Sequence, residues 1–152
     1  MKLAEALVQR ADLKKRLTEL QARLTQNVRV QEGETPLEPP DVMLRELSDD
    51  LTAYRTLIQR INRTNAATRL ADGRTITDYI AERDVLIIEQ RALDTIIDAA
   101  TETKWRYTRT EIKQVVTVDV AALRQQLDAV SKRLREVDMA IQKANWEIEL
   151  GE

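Results

Sequence analysis

The chain has 152 residues, a length that suits a single domain. It contains no His, no Cys and no Phe; charged residues make up 33%, aromatics 3%, and the formal net charge is −2. The zeros exclude His–carboxylate di-iron sites, Cys/His zinc sites, Ser–His–Asp triads, thiol nucleophiles and disulfides, and a pI near 5.4 provides no global positive field to draw nucleic acid.

The opening MKLAEALVQRADLKKRL does not read as a secretory signal. Such a signal needs an unbroken apolar stretch of roughly 7–15 residues, and Glu5, Gln9, Arg10 and Asp12 interrupt it. Apolar runs such as VLII at 85–88 fall far short of the ~20 residues of a membrane-spanning helix. The expected location is the cytoplasm.

Helix breakers cluster at Gly33, Pro36, Pro39 and Pro40, at Gly73, and at Gly151. The first helix is expected over 2–27, with Leu3, Ala6, Leu13, Leu17, Leu20 and Leu24 on one seam and Arg10 as its charged member. The second, over 40–69, starts with Pro in its first turn and carries Leu44, Leu47, Leu51, Tyr54, Ile58, Ile61, then Asn65 and Thr68. After the turn at 70–74 (LADGR), Thr75 followed by Asp78 resembles a capping box. The third helix, over 76–104, has a broader apolar face (Ile76, Tyr79, Ile80, Leu86, Ile87, Leu93, Ile97, Ala100), which suits a helix with more than one neighbour. Asp119 is the expected N-cap of the fourth. That helix, over 119–149, repeats Val120, Leu123, Leu127, Val130, Leu134, Val137, Ile141, Ala144 and Ile148 without an error.

Matched helix lengths favour side-by-side packing. The expected fold is therefore one all-α domain over 1–152: an elongated antiparallel four-helix bundle, or coiled-coil hairpins that complete their cores with another copy. The β-branched segments 28–31 and 111–118 read as strands, expected to pair into a small two-stranded ribbon at one end.

Four stretches carry a resemblance: KLAEALVQRADLKKRL; VQEGETPLEP; INRTNAATRLADGRTITDYIAERD; and EIKQVVTVDVAALRQQLD with NWEIEL near the end. They resemble a family of uncharacterised bacterial proteins sometimes labelled septicolysin-like. The resemblance implies a helical, cytosolic protein and supplies no catalytic residues; the label implies a haemolysin.

Three constellations stand out. Asn62, Arg63, Asn65, Arg69, Arg74, Asp78 and Arg83 straddle the turn between the second and third helices. They read either as an anion or small polar ligand site or as a hydrogen-bonded plug closing the hairpin, and turn chemistry alone explains Asp72-Gly73 and the cap. Residues 104–109 (KWRYTR) interleave cations with Trp105 and Tyr107, a pattern that stacks on bases, sits at lipid headgroups, or covers a bundle end. Trp146 lies off the fourth seam in line with Met139, which suggests an interface. The acidic loop at 31–34 with Glu38 lacks dedicated Ca²⁺-loop spacing and reads as solvated. A glycosidase carboxylate pair needs no His, but it needs a cleft that helical rods rarely offer.

No catalytic residue, metal or cofactor is expected. The leading expectation is a non-enzymatic cytosolic interaction or scaffold protein that forms a homo-oligomer, a dimer or higher. A nucleic-acid or anion-binding module ranks second. A membrane-active toxin ranks last, against the 33% charge and the missing apolar span.

Overall fold

The computed structural model describes residues 1–102 and 114–152. Among these the fold is all-α, with four helices: α1 (Leu3–Asn27), α2 (Pro40–Ala67), α3 (Ile76–Thr101) and α4 (Val120–Glu147). Three of the starts have a local cause among the described residues. The Glu5 carboxylate accepts the Lys2 backbone N–H at 2.7 Å ahead of α1, and Pro40 opens α2, where its missing N–H is harmless. Asp119 Oδ1 accepts the Ala122 N–H at 3.0 Å, the expected N-cap of α4.

The described residues form two compact units, Met1–Ile76 with Gln142–Glu152, and Thr77–Ile141. In the first, α1 and α2 run antiparallel: Arg16 reaches Glu46 at 2.7 Å and Asp50 at 2.8 Å, and Arg23, further along α1, pairs with Glu38. Leu20 and Leu24 pack with Met43 and Leu47 between the two helices. The chain ends close the unit. Leu3 donates to the Ile148 carbonyl at 2.9 Å, Leu150 donates to the Met1 carbonyl at 2.8 Å, and Lys2 pairs with Glu149 at 2.7 Å. This pairing ends α4 at Glu147 rather than 149.

The seam of α2 differs from the one its leucines suggest. Its buried positions are Met43, Asp50, Leu57, Ile61 and Thr64, with Leu47 and Tyr54 half-buried between them. Leu44 and Leu51, expected in the seam, are 55% and 49% exposed. The three-and-four spacing is kept but offset at every second step, because two seam positions hold the polar Asp50 and Thr64. Asn65 is only half-buried beside it.

In the second unit, α3 and the first part of α4 run antiparallel, tied by Glu82–Arg133 at 2.6 Å, Gln90 to Ser131 at 2.8 Å and Gln126 to Glu89 at 3.1 Å. Leu93, Ile97, Val130, Val137 and Ile141 form its buried interior. The expected α4 seam holds throughout: none of its nine positions is exposed.

The expected ribbon is not formed by the described residues. Residues 28–31 and 114–118 contain no strand, and 111–113 lie outside the described residues. The bridges present are isolated, Lys2 with Glu149 and Arg69 with Thr75. Local side chains close the first connection instead: Asn27 Oδ1 accepts the Glu38 N–H at 3.1 Å, beside the Arg23–Glu38 pair. Val28 and Val30, and Val115 and Val116, stay exposed. Their β propensity lacks the packed face that gives it force.

Candidate functional site

The polar block begins on the last turns of α2. Thr68 leaves the helix for an extended conformation, its carbonyl accepts the Ile76 N–H at 3.2 Å, and Leu70 donates to the Arg74 carbonyl at 2.8 Å. This tight loop ends α2 at Ala67 rather than 69. Gly73 sits at its tip with φ +84, the left-handed region that favours glycine. Two guanidiniums brace the loop from within. Arg69 Nη1 donates to the Gly73 carbonyl at 2.7 Å, and Arg74 Nε donates to Asp72 Oδ2 at 2.7 Å while its backbone N–H meets Asp72 Oδ1 at 3.1 Å.

The rest of the block is distributed. Arg63 Nη1 reaches the Glu152 carbonyl at 3.4 Å, and Asn62 is exposed. Asp78 and Arg83 follow on α3, where Arg83 Nε and Nη2 donate to Asp84 Oδ1 at 3.2 and 3.0 Å. The structure thus brings Arg69 and Arg74 onto one loop and engages each guanidinium with that loop's own oxygens.

Besides Asp50, the seam polar group that sequence reading misses is Thr64. Its hydroxyl donates to the Arg60 carbonyl at 2.9 Å and accepts the Gly151 N–H at 2.9 Å, and Arg60 Nε donates to the Gly151 carbonyl at 2.9 Å. Leu44 and Leu51 draw the apparent seam one residue away from the buried positions 50, 57 and 64.

Two carboxylates have their charge fixed by cations. The Arg23 guanidinium, bonded to both Glu38 oxygens, holds that carboxyl below its ordinary value and is itself raised by it. Lys2, and after it the Met1 ammonium, lower Glu149 in the same way. Beside the Glu38 loop lies an open depression of about 800 Å³, lined by residues that include Asn27, Arg29, Glu34 and Leu37. Among the described residues, no group of three or more acidic side chains is placed to hold a metal ion.

The candidate interface residues divide. Trp146 is 65% and Met139 72% exposed, so both present apolar surface, while Trp105 and Tyr107 lie outside the described residues. A further apolar face, outside the broad face expected for this helix, is outward on α3: Val85 is 62% and Ile88 67% exposed. Among the described residues, no helix is long and apolar enough to cross a membrane.

No functionally curated protein matches the chain. A crystal structure of a functionally unknown conserved protein from Corynebacterium diphtheriae is similar at 39% sequence identity, covers 99% of each chain and superposes with a TM-score of 0.91. Residues 10–150 match a family of unknown function, DUF6847. The chain belongs to that family.

Proposed function

We propose that the protein is a non-enzymatic helical interaction protein that acts in the cytoplasm as a homo-oligomer. The observation that supports it is large apolar surface left outward on long helices: Met139, Ile88, Trp146 and Val85 are each more than 60% exposed. Scattered exposed apolar residues are ordinary. Four large ones on two helices, two of them one turn apart, are the kind of surface that partners cover.

In this reading the polar turn is a plug that closes the loop following α2. Its support is that the Arg69 and Arg74 guanidiniums bond to Gly73 and Asp72 of the same loop. Size exclusion coupled to light scattering tests the oligomer at tens of micromolar protein. A dimer or higher species is expected, and a strict monomer overturns the reading. Polyphosphate and single-stranded DNA are expected to leave the elution and thermal midpoint unchanged; binding that weakens steeply with salt would instead make the basic residues an anion site.

A further inference from the structure

We propose that two copies of this chain pair through α3, antiparallel about a two-fold axis passing beside residues 86 and 87. The proposal rests on the self-association reading above and assigns it a surface and a register. One side of α3 faces α4 within the second unit, with Leu93 and Ile97 buried and Glu82, Glu89 and Gln90 bonded across to α4. At 3.6 residues per turn, the outward side carries Ala81, Val85, Ile88 and Ala92, and all four are exposed. Their steps of four, three and four residues are those of a helix-pairing seam. A helix apolar on both sides belongs in an interior, and α3 has one side covered.

The seam fits a second copy of itself. When Val85 faces Ile88 of the second copy, the same antiparallel register sets Ala81 against Ala92 and Asp84 against Arg91, and the two-fold repeats every contact. The branched residues then fill the centre, and the alanine layers on either side let the helices approach closely. Asp84 and Arg91 flank the stripe; Asp84 accepts from Arg83 at Oδ1 yet its side chain is 60% exposed, and Arg91 is exposed, so both can reach across. A parallel pairing on the same stripe sets Asp84 beside Glu89 of the second copy, and like charges oppose it. Charge and side-chain size therefore choose the same antiparallel arrangement.

Sedimentation equilibrium of the full chain tests this with a charge-swap set. The wild type is expected to dimerise, and Asp84→Arg and Arg91→Asp are each expected to weaken the dimer at least about tenfold, since each puts like charges together twice. The double variant Asp84→Arg/Arg91→Asp is expected to restore dimerisation. Ile88→Asp is expected to abolish it, and because these positions are exposed, circular dichroism is expected to show unchanged helix in all four variants. A dimeric wild type whose constant the swaps leave unchanged overturns the α3 surface and leaves self-association standing. Single variants that weaken without rescue overturn the register. A wild type that stays monomeric at tens of micromolar overturns both the surface and the broader reading.

Discussion

Asp50 places a carboxylate in the seam between α1 and α2, where the residue is 92% removed from solvent and Arg16 Nε lies 2.8 Å from Oδ2. The N–H is not aligned for a hydrogen bond to that oxygen, so the pair is held by charge. Removing the cation leaves a poorly solvated anion, whereas removing both charges leaves an apolar contact. Arg16→Met is therefore expected to destabilise the protein by about 1–3 kcal/mol in urea unfolding. Asp50→Leu added to it is expected to recover most of that loss, and a double variant no more stable than Arg16→Met would refute the account. Glu38 and Glu149 act at the surface with a definite sign. Their folded values lie below the ordinary 4.5, so their pairs contribute stability above that pH and lose it as pH falls through the depressed values. Glu38→Gln is expected to flatten the acid limb of a thermal-midpoint profile below about pH 4.5, while leaving neutral-pH cooperativity intact. Neither Asp50 nor Thr64 is legible from one-letter patterning, because a polar residue at a seam position looks the same as one on a solvated face until its partner helix is known.

The helices themselves are legible for a physical reason: Gly and Pro gather between them, and aliphatic residues recur at helical spacing within them. Starts follow from Pro40 and Asp119. Ends are less legible, since Ala67 and Glu147 are fixed by backbone bonds to residues elsewhere in the chain, Thr68 with Ile76 and Leu150 with Met1. The ribbon shows the complementary limit. β-branched residues mark a strand only when a partner and a packed face exist, and Asn27, Arg23 and Glu38 close that connection through side chains. For α2, the two candidate seams make opposite predictions. Leu57 is 7% exposed and Leu51 is 49% exposed. Leu57→Ala is expected to cost about 2–5 kcal/mol as a core truncation, and Leu51→Ala less than about 1 kcal/mol. Chemical denaturation of the two variants separates the seams, and equal losses would return Leu51 to the buried face.

At the scale of the whole molecule, the fold is shared with a bacterial protein at 39% identity over nearly the full length of both. The surface features then become the question: a fold fixes where helices run, and function resides in what those helices leave outward. In the proposed pairing, the outward apolar residues would tie stability to concentration. A second copy that binds the folded state but not the unfolded one stabilises it by mass action, by about 2.7 kcal/mol when its concentration is 100 times the dissociation constant. For a domain of this size each kcal/mol moves the midpoint by roughly 2–4 °C. The thermal midpoint is thus expected to rise by about 5–10 °C between protein far below the dissociation constant and protein about a hundredfold above it. Ile88→Asp, which is expected to abolish pairing on α3 and, at an exposed position, leaves the interior of either unit untouched, should hold its midpoint constant over the same range. Differential scanning fluorimetry across that dilution series measures both slopes. A wild-type midpoint independent of concentration would mean that the exposed apolar faces of α3 and α4 tolerate water on their own, and that the helices complete their packing within one chain.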